Sequence, residues 1–141
     1  MKRLILKFGG TSVGTIEKIK KVANIIKKRH DEGNEIIVVV SAMSGVTDDL
    51  VKKSNFISKN FDKREMDVLL SSGEQVSCSL LSGAISDLGL KARSWLGWQI
   101  PIITNDNYTS SQIMKIKTDE VSNFISSGGI PVIAGFQGVS V

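Results

Sequence analysis

Lys7-Phe8-Gly9-Gly10-Thr11-Ser12 follows directly on the apolar run Leu4-Ile5-Leu6. Two adjacent glycines let the backbone come close to a ligand and aim consecutive N–H groups at it. A lysine beside that turn supplies a full charge, and a helix downstream adds partial positive charge at its N-terminus. Such a combination suits an anion, phosphate above all. The spacing Gly-x-x-x-x-Gly-Lys-Ser/Thr of a P-loop is absent. So is the third glycine that a dinucleotide fingerprint places three residues after the second.

These residues need elements to hold them. Residues 3–8 read as a strand, and 15–31 as a helix with Ile16, Ile19, Val22, Ala23 and Ile26 on one apolar stripe, stopped at Gly33. Residues 35–40 are a β-branched run of the kind buried on both faces of a parallel sheet. Strand, helix and strand at this spacing make a right-handed βαβ unit. Helices are expected over 46–58, 64–70 and 74–88, with Ser71-Ser72-Gly73 separating the last two. Val76, Leu80, Leu81, Ala84, Ile85 and Leu88 should face the core. Short strands are expected at 91–95 and 101–104 around Gly97-Trp98-Gln99, a helix over 111–126, and a buried strand at 130–134. The fold class is therefore α/β.

Open α/β sheets bind ligands beyond the carboxyl ends of their strands. Three loops are expected there: Gly9-Gly10-Thr11-Ser12, Ser41-Ala42-Met43-Ser44-Gly45 and Gly135-Phe136-Gln137-Gly138. Gly-rich turns can also be turns and nothing more, and that alternative stays open on residues alone. The alternative for Lys7 is a surface lysine ending an edge strand, which its place between strand and glycine pair disfavours. Glu74 could be a carboxylate favoured at a helix N-terminus, Thr47 an N-cap or first-turn residue, and Ser41 a loop hydroxyl bonded to its own backbone. Asp67 could orient a site residue or face solvent.

The chain has 141 residues, 41% of them hydrophobic, enough for one packed domain or part of one. Its 18 basic residues exceed 14 acidic ones only modestly, and the bases sit on helical faces. Aromatic residues do not interleave with them as a nucleic-acid surface requires. Cys78 is the only cysteine, which excludes an intrachain disulfide and reads as a buried thiol. The amino-terminal apolar run is too short for a signal peptide, and Ile36-Ile37-Val38-Val39-Val40 too short to span a bilayer. The expectation is a cytoplasmic protein with no membrane contact. His30 stands alone among lysines and arginines and reads as a solvated surface residue, so no metal site is expected.

Taken together and in order, several segments resemble aspartate kinase, within the amino-acid kinase superfamily. They are Lys7-Phe8-Gly9-Gly10-Thr11-Ser12-Val13, Val39-Val40-Ser41-Ala42-Met43 with Thr47-Asp48, Arg64-Glu65-Met66-Asp67 with Leu69-Leu70-Ser71-Ser72-Gly73-Glu74, and Ala134-Gly135-Phe136-Gln137-Gly138. The resemblance covers essentially the whole chain. It implies the amino-acid kinase fold, an αβα sandwich with an open, mainly parallel sheet, here incomplete. It implies transfer of the ATP γ-phosphoryl group to the side-chain carboxylate of L-aspartate, in lysine, threonine and methionine synthesis. Lys7 would stabilise the transferring phosphoryl charge, with the amides of Gly9 and Gly10 around its oxygens and Thr11 beside them. Ser41, Thr47 and Glu74 would bind aspartate, Glu74 through the α-ammonium group. ATP would come with Mg2+, held largely by phosphates and water.

The family continues past Val141 into an Arg-Gly-Gly-Ser-Asp type loop and a nucleotide-binding segment, with regulatory domains later. Residues 1–141 are thus expected to be the amino-terminal part of a catalytic domain, with little or no activity alone. They should form a homo-oligomer or associate with the missing half through exposed apolar edges. Ile100-Pro101 stand where small residues are usual, and Ser111-Gln112 where alanine-arginine is common. Competing readings are another superfamily kinase such as glutamate 5-kinase, an inert or partner-binding fragment, and a phosphate-binding module without catalysis.

Overall fold

The computed structural model describes residues 2–140. In chain order the elements are β1 (Arg3–Phe8), α1 (Ile16–Asp31), β2 (Glu35–Val40), α2 (Val46–Ile57), α3 (Lys63–Asp87), β3 (Ala92–Trp95), β4 (Ile102–Thr104), β5 (Ile113–Ile116), α4 (Asp119–Ser126) and β6 (Ile130–Ala134). Four strands form a wholly parallel sheet in the order β1-β2-β6-β3, and β4 and β5 form a separate antiparallel hairpin. Among the described residues no helix is long and apolar enough to cross a membrane.

Strand periodicity sorts side chains into two layers. Ile36, Val38 and Val40 of β2 and Ile130, Val132 and Ala134 of β6 point to one face. There they pack with Ile19, Val22, Ala23 and Ile26 of α1 and Cys78, Leu81 and Ile85 of α3. On the other face Ile37 and Ile133 meet a smaller core of Trp95, Ile100, Ile102, Val121 and Ile125, from β3, the turn after it, β4 and α4. This second layer covers the β6–β3 side. Ile5 on edge strand β1 is left 68% exposed.

The expected α/β class and the strands at 3–8, 35–40 and 130–134 match the structure. Several expectations do not. Ser71-Ser72-Gly73 does not break a helix, because α3 runs unbroken from Lys63 to Asp87. The Ser71 and Ser72 hydroxyls donate to the carbonyls of Val68 and Leu69 at 2.9 and 2.7 Å, within the helix. Gly73 lies against the loop after β2, so packing overrides its low helix propensity. Along that uninterrupted helix Val76 and Leu80 turn outward, 53% and 39% exposed, while Leu81 and Ile85 are buried. Ile16, at the first position of α1, is likewise exposed.

The helix expected over 111–126 exists only from Asp119. Residues 113–116 pair with β4 instead. The Asn105 carboxamide oxygen closes that hairpin, accepting from the backbone N–H of Asn107 at 3.4 Å and of Gln112 at 3.1 Å. Ile100 and Ile102 belong to the second core, so the Ile100-Pro101 departure serves packing.

Candidate active site at the carboxyl edge of the sheet

Because β1, β2 and β6 are adjacent and parallel, the three loops that follow them open at one edge. The ladder persists past the strand ends: the N–H of Ser41 donates to Phe8 O at 3.1 Å, and that of Gly135 to Val40 O at 2.9 Å. Ser44 N–H then donates to Gly10 O at 3.2 Å, joining the first loop to the second.

The paired glycines differ in what they serve. A Cβ on Gly10 would stand 2.8 Å from the carbonyl oxygen of Ala42, so glycine is required there by the protein's own packing. A Cβ on Gly9 would meet nothing within 4 Å, and Gly9 has no positive φ. Neither packing nor backbone conformation demands glycine at position 9, and the space beside its Cα is open. The helix does not start at the glycines. Residues 10–13 form a turn, closed by Ser12 N–H on Gly9 O at 3.0 Å and pinned by the fully buried Val13, and α1 begins at Ile16 with Thr15 as its N-cap. Lys18 Nζ reaches back to the Thr11 carbonyl at 2.9 Å, while the Thr11 side chain is exposed.

Lys7 leaves β1 from the face opposite α3, one residue short of the carboxyl edge. It is exposed and makes no hydrogen bond or ion pair among the described residues. Glu74 approaches from the α3 layer. It does not open a helix, as expected from the sequence; it sits midway along α3, 7% exposed, and its Oε1 accepts from the N–H of Ala42 at 3.1 Å. Desolvation raises its carboxyl above the usual range, and the Ala42 N–H opposes that shift in part. Lys7 and Glu74 therefore flank the edge from opposite layers, with the loops at 9–12 and 41–45 between them.

Two further residues, given no site role from the sequence, hold the second loop. Ser77 Oγ donates to Ser41 O at 2.7 Å. Gly73 lets α3 lie close, since a Cβ there would be 2.9 Å from the Ala42 Cβ. Positions 73, 74 and 77 share one helix face, the spacing that could have pointed to them. Ser41 itself is half-buried, and Thr47 lies exposed in the first turn of α2, after the N-cap Gly45 at φ 82°. The third loop spends its polar side chain internally: Gln137 donates to Ala134 O at 2.7 Å and accepts from Gly97 N–H.

Cys78 is buried, its thiol donating to Val132 O at 2.9 Å, and desolvation pushes it up to about 11. His30 is half-buried, not fully solvated, and its Nδ1 is enclosed without a hydrogen-bond partner among the described residues. It lines a groove with Asn34, Ile36, Ile125 and Ile130 at the amino edge, away from these loops. Among the described residues no group of three or more His, Cys, Asp or Glu could hold a metal ion.

A family model described as the amino acid kinase family matches residues 2–141. The aspartokinase of Geobacillus stearothermophilus is 47% identical over 137 residues, covering 97% of this chain and 34% of that protein. That of Rickettsia prowazekii is 48% identical over 144 residues, covering 99% of this chain and 32% of that protein. The chain thus spans about a third of the length of the curated relatives it matches. Among solved structures, aspartate kinase from Synechocystis superimposes with a TM-score of 0.82 at 44% identity, over 96% of this chain and 22% of that one. E. coli aspartokinase III, solved with aspartate and ADP, gives 0.80 at 18% identity, over 96% of this chain and 41% of that one, a likeness of fold.

Proposed function

Because this chain belongs to the amino acid kinase family, we propose that the protein containing it is an aspartate kinase, transferring the γ-phosphoryl group of ATP to the side-chain carboxylate of L-aspartate. Residues 1–141 are then the amino-terminal part of its catalytic domain, and the compartment is the cytoplasm. The observation that carries the reading is Glu74: a buried carboxylate, set by the Ala42 N–H at the strand edge where the three loops open. A buried carboxylate with one hydrogen-bond donor calls for a cation, and an α-ammonium group is one.

The chemistry is mostly positioning and neutralisation of charge. Two anions must meet at the edge. Lys7, which has no ion-pair partner among the described residues, stabilises the phosphoryl group in flight. The open space beside Gly9 lets the backbone N–H groups of Gly9 and Gly10 approach its oxygens. Lys18 steadies the turn through the Thr11 carbonyl, and Thr11 lines its outer side. Ser41 and Thr47, on the second loop and the helix after it, take the polar groups of aspartate, with Glu74 on its ammonium. Approach from two layers suits a reaction in which nucleotide and acceptor enter from different sides. ATP is expected with Mg2+. The described residues offer no ligand cluster for it, so no step is assigned to the ion.

The test uses the full-length protein, with ATP and hydroxylamine to trap acyl phosphate as hydroxamate. L-aspartate should give hydroxamate, L-glutamate should not, and Lys7→Ala should abolish the signal. Preference for glutamate, or full activity of Lys7→Ala, refutes the reading.

A further inference from the structure

Thr109 is the only described non-glycine residue with a positive φ, 67°, a conformation that β-branched residues rarely take. Its N–H donates to Asp67 Oδ2 at 2.8 Å, across 42 positions of sequence. The other carboxylate oxygen, Oδ1, is enclosed and has no hydrogen-bond partner among the described residues. Asp67 lies seven residues before Glu74 on the same helix. Two turns separate them, so both lie on one face, with Asp67 roughly 10 Å further out.

The direction follows from topology. The C-terminus of α3 leads into the amino end of β3, and β3 is parallel to β6. Since Glu74 already meets Ala42 at the carboxyl edge of β2, the first turns of α3 project beyond that edge. The β4–β5 hairpin springs from the opposite layer, where Ile102 belongs to the second core, and it is anchored to the third loop by Thr104 N–H on Val139 O at 2.9 Å. Its loop reaches the α3 layer at Thr109. The Asp67–Thr109 bond therefore ties the β4–β5 loop to the part of α3 that projects beyond the carboxyl edge of the sheet.

We infer that Asp67 is a positioning residue, whose carboxylate tethers the β4–β5 loop across the carboxyl edge and so fixes one wall of the pocket that receives the amino-acid acceptor. The inference rests on the aspartate kinase reading above. A charge-assisted bond from a backbone N–H is strong enough to hold a loop residue in an unfavourable conformation. A surface aspartate serving only as helix N-terminal charge would need no partner on a distant loop.

The experiment compares wild type, Asp67→Ala and Asp67→Asn in the full-length protein. It reads amide hydrogen exchange in residues 105–112 and steady-state kinetics with L-aspartate and ATP. Asp67→Ala should speed exchange in that segment and raise KM for L-aspartate about tenfold, with a much smaller change in kcat. Asp67→Asn keeps an acceptor without the charge, and should raise the same KM about threefold. If the alanine variant does not fold, the asparagine variant carries the test alone. Unchanged exchange, an unchanged KM for L-aspartate, or a loss confined to kcat overturns the inference. A wild type that makes no aspartyl phosphate sinks the function proposed above instead, and exchange at 105–112 then still decides whether the tether exists.

Discussion

Alanine at position 9 and alanine at position 10 should have opposite consequences, though the two glycines are neighbours. Neither has a positive φ, so both variants gain the same small stabilisation from a less flexible unfolded chain. The difference between them isolates what the new methyl group meets. At position 10 it lies 2.8 Å from the Ala42 carbonyl oxygen, a backbone atom that cannot swing aside. Relieving that contact shifts the first loop from the second and strains the Ser44–Gly10 hydrogen bond. Overpacking of this kind costs about 1–3 kcal/mol. At position 9 the methyl meets no atom, and stability should stay within about 0.5 kcal/mol of wild type. Catalysis reverses the order of interest. On the proposed function the methyl on residue 9 enters the space assigned to the phosphoryl oxygens, and kcat/KM should fall about a hundredfold with folding intact. Denaturant midpoints read the first effect, and hydroxamate formation in the full-length protein reads the second. Equal destabilisation by both variants would show that the space beside Gly9 is filled by protein. A stable and fully active Gly9→Ala would show that no ligand uses it.

The raised Glu74 carboxyl predicts two pH effects of known sign. Between its unfolded value near 4.5 and its higher folded value the native state holds a proton that the unfolded state has lost. Stability from this group therefore falls as pH rises through that window, and Glu74→Gln should flatten the dependence in denaturant titrations. Capture of an α-ammonium group needs the ionised form, so KM for L-aspartate should rise as pH drops into the same window in wild type; a pH-independent KM contradicts the role assigned to Glu74. Cys78, fully buried and pushed up to about 11, should resist thiol reagents at neutral pH in the native protein and react on unfolding. Labelling of the native protein at the unfolded rate would refute that burial.

Hydrophobic periodicity alone carried β1, α1, β2 and β6, because each buries a regular stripe or run against a layer. The glycine pair, the lysine and the position of three loops at strand ends were equally plain in the residue order. Local signals failed where a distant contact decided the outcome. Ser71-Ser72-Gly73 reads as a break, yet Gly73 is the point where α3 touches the Ala42 loop, and that packing keeps the helix continuous. Residues 113–116 carry helix-compatible spacing, yet the Asn105 side chain and pairing with β4 make them a strand.

The groups proposed for the chemistry were legible in sequence: a strand-end lysine and a glycine pair from the residues themselves, and the carboxylate of Glu74 through the family resemblance. Which layer each group comes from was settled only by tertiary structure. Strand alternation puts Lys7 on one face, while the uninterrupted α3 brings Glu74 from the other and carries Asp67 out to a loop 42 residues away in the chain. Residue order specifies what a side chain is, and in β1 and β2 also which face of the strand it takes. The meeting of elements far apart in the chain depends on how buried faces pack, and no local window contains that information.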